Sequence, residues 1–222
     1  MIPGLKGSGC LNRINGLKGS VQMAFTYFFR DMQTIEMIRD IALPTLRSRQ
    51  RIDFWDAGCA MGPEPYTLAI TLRENMSGML FRNVHITATD LDGSDLFEEI
   101  IKNGVYPREQ VERIPAELLE RYFRSLPETD SYEISEELRK AVRFSKHDLL
   151  TLKPPGENFG VVMCKNVLLH FQPEERVLVI RMFHAALADG GFLAMEQTQK
   201  LPEECAGLFE QAVPNAQLYR KR

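Results

Sequence analysis

A short stretch from Asp56 to Glu64 holds residue types that could bind a small charged molecule. It reads DAGCAMGPE, so an acid ends an apolar run, Gly58 and Gly62 flank a tight turn, and Glu64 stands where a helix begins. Glycine in such a turn lets the backbone approach a ligand and adopt a positive φ. The stretch therefore predicts a ligand site where a strand turns into a helix.

The acids of this stretch indicate the kind of ligand. A dinucleotide-binding turn carries more glycine, whereas Ala60 and Met61 stand here. Glu64 would also repel a pyrophosphate, which normally binds at a helix N-terminus. S-adenosylmethionine instead carries a sulfonium and an ammonium, which the carboxylates of Asp56 and Glu64 would attract. The pattern argues against NAD and favours S-adenosylmethionine.

A second acidic pair follows the next apolar run, in the sequence TATDLD at 87–92. Asp90 can accept hydrogen bonds from both ribose hydroxyls through its two oxygens, and Asp92 is an alternative for that role. Without a ligand, Glu64 would merely cap its helix and Asp90 would begin a turn. Acids after both of the first two predicted strands favour the ligand site.

These residues must be positioned by a sheet whose strands end at the same edge. The apolar patterns predict strands over 51–55, 84–89, 142–147, 159–164 and 192–196, and helices over 64–75, 94–103, 115–126 and 173–188. Strands joined by helices of this length make right-handed crossovers in a mostly parallel sheet. We therefore predict an α/β fold with a doubly wound, mostly parallel, Rossmann-like sheet.

The rest of the chain is divided around this sheet. The glycine-rich residues 1–20 are expected to be flexible, because they hold few large apolar side chains. Residues 21–50 are expected to form an N-terminal helix that covers the cofactor site. The main domain is then 51–222, and 104–143 is expected to be a helical and β-hairpin insertion, because it is too long for a plain connection.

Composition excludes several function classes. The 222 residues include 27 Lys and Arg against 30 Asp and Glu, so the net charge of -3 offers no basic surface for nucleic acid. The four cysteines lie far apart, which suggests neither a metal site nor a disulfide framework. No apolar run approaches the roughly 20 residues that cross a bilayer. We expect a cytoplasmic protein without metal, nucleic-acid partner or membrane insertion.

Several motifs occur in the order typical of one family. They are TYFFRD at 26–31, FWDAGCAMGPEPYTLA at 54–69, ATDLD at 88–92, NGVYP at 103–107, LLERYF at 118–123 and VMCKNVLLHF at 162–171. The chain resembles the chemotaxis receptor glutamate methyltransferases of the CheR type, from about residue 25 to its end. The resemblance implies a class I methyltransferase domain, S-adenosylmethionine as cofactor, and methylation of a glutamate carboxylate on a protein such as a chemoreceptor.

The resemblance also implies roles for individual residues. The family's T-x-F-F-R motif reaches the cofactor and the active site, which implies these roles for Thr26 and Arg30. Glu64 corresponds to a cofactor contact, and Asp90 to the ribose-binding aspartate. Two further pairs align with family motifs at the cofactor: Asp148 with Leu149 beside the adenine, and Lys165 with Asn166, where Lys165 replaces an arginine.

Three departures from the family pattern keep alternatives open. His170 replaces an active-site tyrosine, MEQTQ at 195–199 replaces a G-H-S-E run, and only some 25 residues precede the first motif, so we expect the family's N-terminal helical domain to be absent. A carboxylate acceptor is ionised at neutral pH and needs only to be oriented, a role that suits Arg30. With His170 as general base, another protein or small-molecule nucleophile could be methylated instead. A third alternative is a cofactor-binding adaptor without turnover.

Overall fold

The structure is a computed structural model that describes residues 26–222, so the flexible segment predicted for 1–20 lies outside the described residues. The strands of the described chain are, in order, β1 (Ile52–Ala57), β2 (Val84–Asp90), β3 (Val105–Pro107), β4 (Phe123–Leu126), β5 (Ser131–Ile134), β6 (Val142–Lys146), β7 (Phe159–Cys164), β8 (Leu187–Met195), β9 (Phe209–Gln211) and β10 (Leu218–Lys221). The α-helices are α1 (Met32–Met37), α2 (Leu43–Leu46), α3 (Pro63–Glu74), α4 (Gly78–Phe81), α5 (Phe97–Asn103), α6 (Arg108–Val111), α7 (Ala116–Tyr122), α8 (Glu136–Ala141) and α9 (Pro173–Ala186).

The main sheet has the strand order β6-β2-β1-β7-β8-β10-β9. Its first five strands are parallel, whereas β10 is antiparallel to both of its neighbours. The chain leaves β1 first toward β2 and later returns to its other side as β7, so β1 marks the point where the winding reverses. This arrangement confirms the predicted α/β, doubly wound, mostly parallel sheet, in which ligands bind beyond the carboxyl ends of strands at the reversal.

The central strands are buried on both faces. All six residues of β7 are buried, which is typical of a parallel strand covered by helices on both sides. Successive side chains of β1 point to opposite faces, and Phe54 and Trp55 belong to different core clusters. The β1 register pairs Asp56 with Ala88 of β2 and with Met163 of β7. The carboxyl ends of these three strands therefore lie side by side.

The N-terminal helix begins later than the sequence pattern indicates. Within the described part of the predicted segment 21–50, residues 26–31 form turns, and the helical stretch runs from Met32 through a π-helical turn at Ile38–Ala42 to Leu46. Phe29 and Asp31 have positive φ values of 59° and 46°, which a right-handed helix excludes. The turns place the TYFFRD motif over the main sheet's carboxyl edge rather than on a helix.

The segment 104–143 builds a small antiparallel sheet of order β3-β5-β4 with short helices around it. The helix predicted over 115–126 is shorter than expected, because it ends at Tyr122 and Phe123 starts β4, pairing with Ile134 of β5. The Tyr106 hydroxyl donates to the Met61 carbonyl at 3.1 Å, which ties the small sheet to the turn after β1.

Candidate functional site

A cleft of about 550 Å³ opens at the carboxyl ends of β1, β2 and β7. This volume lies within the range of small-molecule sites in proteins. The predicted site residues that line it are Thr26, Arg30, Gly58, Glu64, Asp90, Asp148, Leu149, Lys165, Asn166 and His170. Residues from five separate stretches of the chain therefore meet at one place, as expected for the strand ends of a doubly wound sheet. Asp56 and Gly62 lie next to the cleft but do not line it.

The turn after β1 is fixed by backbone hydrogen bonds to β2. The N–H groups of Gly58 and Cys59 donate to the Thr89 carbonyl at 2.8 and 3.0 Å. Gly58 has a φ of 108°, and a Cβ built on it would lie 2.1 Å from Cγ2 of Val167. Glycine is required here both by the backbone conformation and by the close approach of the loop after β7.

Gly62 serves packing rather than the cleft. A Cβ on this residue would lie 2.5 Å from the Tyr106 hydroxyl and 2.7 Å from Cγ1 of Ile101. Ile101 belongs to α5 and Tyr106 to β3 of the small sheet, and neither of them lines the cleft. Gly62 thus lets the insertion approach the start of α3, and its predicted contact with the cofactor stays a prediction.

The two acids after β2 have different surroundings. Asp90 lines the cleft, where one carboxylate oxygen accepts from the Ala60 N–H at 2.9 Å and the other from the Asp92 N–H at 3.3 Å. Asp92 is buried, and its carboxylate accepts from the backbone N–H groups of Leu96 and Phe97 at 3.3 and 3.0 Å. Asp92 thus caps the start of α5, which leaves Asp90 as the acid that faces the cleft.

Lys165 forms a buried ion pair at the floor of the cleft. Its side chain is 1% exposed, and its Nζ donates to Oε2 of Glu64 at 2.9 Å and to the Arg30 carbonyl at 3.1 Å. Three segments therefore meet at one ammonium: the loop after β7, the start of α3 and the turn before α1. The pairing positions the Glu64 carboxylate, whose other oxygen is buried without a hydrogen-bond partner among residues 26–222.

Asp56 lies beneath the cleft and is completely buried. Neither of its carboxylate oxygens accepts a hydrogen bond within the described part of the chain. Burial raises the pKa of Asp56 well above its usual range, and the nearby Glu64 carboxylate raises it further. Asp56 does not itself line the cleft and lies next to Glu64, so its contact with the cofactor stays a prediction.

Arg30 and His170 occupy the more accessible part of the site. The Arg30 side chain is 33% exposed, and its Nε lies 3.3 Å from a carboxylate oxygen of Asp31. The guanidinium groups of Arg30 and Arg113 lie 5.8 and 4.0 Å from the centre of the Tyr27 ring. His170 is exposed at the end of the 3-10 turn Leu168–His170. A positive charge and an imidazole thus stand where an acceptor could enter.

The loop after β6 brings the predicted pair Asp148 and Leu149 to the cleft, together with residues that the sequence patterns did not single out. Asp148 caps the short turn that carries the buried Leu149, because its carboxylate accepts from the Leu150 N–H at 2.9 Å. His147 precedes it and packs against the edge of the Trp55 ring at a centroid distance of 5.8 Å. The other unpredicted residues in the lining are Cys59, Ala60, Thr89, Leu91, Val167, Leu169 and Phe171. Their positions directly after β1, β2, β6 and β7 were the signal that could have found most of them.

The described residues offer neither a metal site nor a membrane-spanning helix. Among residues 26–222, no group of three or more His, Cys, Asp or Glu side chains is arranged to hold a metal ion. The helices within the same residues are all too short or too polar to cross a lipid bilayer.

Comparisons with known proteins agree with the geometry of the cleft. The family model for the CheR methyltransferase, SAM binding domain, matches residues 24–214. A chemotaxis protein methyltransferase of Borreliella burgdorferi is 30% identical over 79% of this chain and 64% of its own length. One of Listeria innocua is 32% identical over 78% of this chain and 64% of its own. The chain thus spans about 64% of the length of these relatives.

A solved structure supports the fold independently of close sequence similarity. The rRNA methyltransferase aviRa from Streptomyces viridochromogenes superposes with a TM-score of 0.54, at 15% identity, over 91% of this chain and 88% of its own. The predicted methyltransferase fold and the predicted cofactor, S-adenosylmethionine, are confirmed by the family match and this likeness. With its strand-end cleft and a match that covers most of its length, the chain belongs to the CheR methyltransferase family through the SAM-binding domain.

Proposed function

We propose that the protein transfers a methyl group from S-adenosylmethionine to the side-chain carboxylate of a glutamate on a chemoreceptor-like protein. The observation that carries this proposal is the position of Arg30, a basic residue that lines the same cleft as the acids Glu64 and Asp90. One cleft thus offers carboxylates for a cationic cofactor and a guanidinium for an anionic acceptor. The two similar proteins described above are chemotaxis protein methyltransferases, which supports the same activity.

The acidic part of the cleft is suited to hold the cofactor. Glu64 is fixed by Lys165 and keeps one buried oxygen without a hydrogen-bond partner in the described chain, so it can accept from an ammonium group. Each Asp90 oxygen accepts a single backbone hydrogen bond and so retains capacity for the ribose hydroxyls. When bound, S-adenosylmethionine supplies an electrophilic methyl group. Asp148, Leu149 and Asn166 are proposed to contact its adenosine portion.

Arg30 is proposed to orient the acceptor. A guanidinium can bind one carboxylate oxygen through charge-assisted hydrogen bonds while the second oxygen stays free to attack. The carboxylate of a glutamate is ionised at neutral pH, so no general base has to remove a proton from it. The Lys165 Nζ holds the Arg30 carbonyl at 3.1 Å and thereby fixes the backbone from which the guanidinium extends. Arg30 is thus proposed to be the catalytic residue of an alignment mechanism.

His170 is proposed to contact the acceptor without removing a proton. It is exposed on the 3-10 turn that lines the cleft, in a position to donate a hydrogen bond to a substrate carbonyl or carboxylate. The family match and the guanidinium in the cleft favour a carboxylate acceptor over a hydroxyl or amine that would need a base. The same proposal places the protein in the cytoplasm, where the cofactor is made and receptor signalling domains lie.

Transfer of a labelled methyl group tests this function. The protein is incubated with S-adenosylmethionine that carries a tritiated methyl group and with the purified signalling domain of a chemoreceptor. We expect label on the receptor domain that alkali releases as methanol, because methyl esters hydrolyse under these conditions. Label that survives alkali would instead indicate a nitrogen, sulfur or ether linkage and would contradict the proposal.

Arg30→Ala tests the proposed mechanism. We expect turnover to fall at least a hundredfold, while the dissociation constant of S-adenosylhomocysteine changes less than tenfold, because Arg30 acts on the acceptor more than on the cofactor. Arg39→Ala is the matched control, since Arg39 pairs with its neighbour Asp40 outside the cleft. Equal turnover in Arg30→Ala and Arg39→Ala would remove Arg30 from the mechanism.

A further inference from the structure

The buried Asp56 carboxyl lies next to the Glu64 carboxylate that lines the cleft, and three of their four oxygens are buried without a hydrogen-bond partner in the described chain. Asp56 is fully buried with two unpartnered oxygens, and Oε1 of Glu64 is likewise buried without a partner among residues 26–222. The two side chains are within hydrogen-bonding reach of each other. Two ionised carboxylates have no hydrogen to share, so such a contact between them would be repulsive.

A single proton between the two groups resolves this arrangement. A protonated Asp56 has an O–H that can donate to the unpartnered Oε1 of Glu64, while Oε2 of Glu64 continues to accept from Lys165 at 2.9 Å. The trio of Asp56, Glu64 and Lys165 then has no net charge, because one carboxylate is balanced by one ammonium. Without the proton, the trio carries one uncompensated negative charge in a buried place, which is costly.

The other charged and titratable groups around Asp56 do not supply a further cation. Asp90 at the end of β2 is a third carboxylate, and the thiols of Cys59 and Cys164 contribute no positive charge. Glu196 at the end of β8 faces Cys164, and one of its oxygens accepts from a backbone N–H. Among the residues described, Lys165 is therefore the cation that acts on Asp56, and its ammonium is already paired with Glu64.

We propose that Asp56 and Glu64 share one proton in the ligand-free protein, and that this proton is released to solvent when the ammonium of S-adenosylmethionine binds beside Glu64. The trio then changes from zero to one negative charge as the ammonium arrives beside Glu64, so the trio is neutral before binding and is balanced by that ammonium afterwards. Asp56 is in this view a positioning residue, which matches the charge of the site to that of the cofactor through Glu64. The inference rests on the cofactor of the proposed function, not on its methyl acceptor.

Proton counting by calorimetry tests this inference. S-adenosylhomocysteine carries the ammonium but no sulfonium, and methylthioadenosine carries neither. Their binding enthalpies are measured near neutral pH in buffers with different ionisation enthalpies, so that the dependence on buffer gives the number of protons released. We expect about one proton for S-adenosylhomocysteine and none for methylthioadenosine. The affinity for S-adenosylhomocysteine should rise with pH, by up to about tenfold per pH unit, whereas that for methylthioadenosine stays flat.

Asp56→Asn removes the proton but keeps a group that can donate to Glu64. We expect this variant to bind S-adenosylhomocysteine with no proton release, whereas the matched control Asp53→Asn, on the same strand and paired with Arg51, still releases about one. Release that persists in Asp56→Asn, or binding by the unmodified protein without release, would overturn the proposal. A role of Asp56 in packing alone would not change the proton count.

Infrared difference spectroscopy uses the unmodified protein, so its result does not depend on whether the Asp56→Asn variant folds. Binding of S-adenosylhomocysteine should remove a protonated-carboxyl band that shifts when aspartate is labelled with carbon-13. A spectrum without such a band in the ligand-free protein would refute the shared proton. Neither measurement needs a methyl acceptor, so a protein that releases the proton but methylates no glutamate would refute the proposed function and leave this inference standing.

Discussion

Replacing Lys165 with methionine tests whether the buried ion pair between Lys165 and Glu64 stabilises the protein at the floor of the cofactor cleft. Methionine resembles the aliphatic stem of lysine, so the substitution removes the charge with little change in volume. It breaks the 2.9 Å pair with Glu64 and the 3.1 Å hydrogen bond to the Arg30 carbonyl. Because the Lys165 and Glu64 side chains are only 1% and 13% exposed, water can do little to replace the lost partner.

Two arguments give similar magnitudes for the stability that Lys165→Met loses. Removing one member of a buried ion pair typically costs about 3 to 5 kcal/mol, because the other charge stays buried without compensation. The remaining carboxylate can avoid this cost only by taking up a proton, which for an ordinary glutamic acid at pH 7 costs about 3 to 4 kcal/mol. We therefore expect Lys165→Met to lower the free energy of unfolding at pH 7 by about 3 to 4 kcal/mol. The second route predicts that the loss shrinks by about 1.4 kcal/mol for each pH unit toward pH 5.

Urea unfolding at several pH values measures both effects. The single tryptophan, Trp55, is buried in the core beside the site and reports unfolding by fluorescence. The double variant Glu64→Gln with Lys165→Met removes both charges and should recover at least half of the loss. Lys140→Met is the matched control, because Lys140 pairs with Glu136 on the surface and should contribute less than about 1 kcal/mol.

Three results would refute this reasoning. A loss below about 1 kcal/mol at pH 7 would mean that the pair does not behave as a buried one. An equal loss at pH 5 and pH 7 would mean that no carboxylate is left uncompensated. A double variant no more stable than Lys165→Met would mean that the lysine stabilises through packing of its stem rather than through Glu64.

Three further predictions concern the same cleft. Gly58→Ala should destabilise the protein by more than about 2 kcal/mol, because Gly58 has a φ of 108° and the added Cβ would overlap the Val167 side chain. Calorimetry should then detect no binding of S-adenosylhomocysteine. The control Gly93→Ala, whose Cβ meets no described atom within 4 Å, should change neither stability nor binding. Asp90→Ala should weaken S-adenosylhomocysteine binding by about 1 to 3 kcal/mol and leave the free energy of unfolding in urea nearly unchanged. Asp92→Ala should leave binding nearly unchanged and lower the free energy of unfolding by about 1 to 2 kcal/mol, because it removes the helix cap. The raised pKa of Asp56 means that its stability contribution is complete below about pH 4, the ordinary pKa of aspartic acid, and is lost as pH rises above this, by up to about 1.4 kcal/mol per unit. Asp56→Asn should flatten this dependence in urea titrations that start at about pH 4 and go upward, and a parallel decline in both proteins would contradict it.

The sequence was sufficient to predict which strand ends line the cleft. Acids and glycines after β1, an acid after β2 and the Lys165–Asn166 pair after β7 all fall on one edge, because parallel strands of a doubly wound sheet end together. Strand direction alone gives this result, with no knowledge of side-chain conformations. The resemblance then supplied Thr26 and Arg30, whose approach to that edge depends on turns that no apolar periodicity indicates.

The side-chain directions within the site could not be predicted in the same way. Asp90 and Asp92 are both acids after one strand, and only the start of α5 decides that Asp92 caps a helix. Gly62 has the same positive φ region as Gly58, but its close neighbour is Tyr106 of the insertion, which is far away in sequence. Such distinctions depend on contacts between distant segments, which a single sequence does not reveal.

The small sheet shows where local patterns compete with tertiary pairing. The residues 115–126 have a helical spacing of apolar side chains, and the helix ends at Tyr122 because the next residues pair with β5. Helix propensity is a weak preference that strand pairing can override. The same competition explains the N-terminal segment, where the spacing of phenylalanines indicates a helix but Phe29 and Asp31 adopt left-handed conformations.

The lysine at the floor of the cleft and the buried acid below it form one consistent arrangement. A guanidinium has five donors in a rigid plane and needs several acceptors, whereas a lysine ammonium is compact and needs fewer. In this chain, Lys165 stands where the family resemblance has an arginine, and its two acceptors are Glu64 and the Arg30 carbonyl. The compact ammonium leaves Oε1 of Glu64 for a second donor, and Asp56 is the group that can provide one. A protonated Asp56 thus donates to Oε1 of Glu64, the oxygen that receives no hydrogen bond from the Lys165 ammonium.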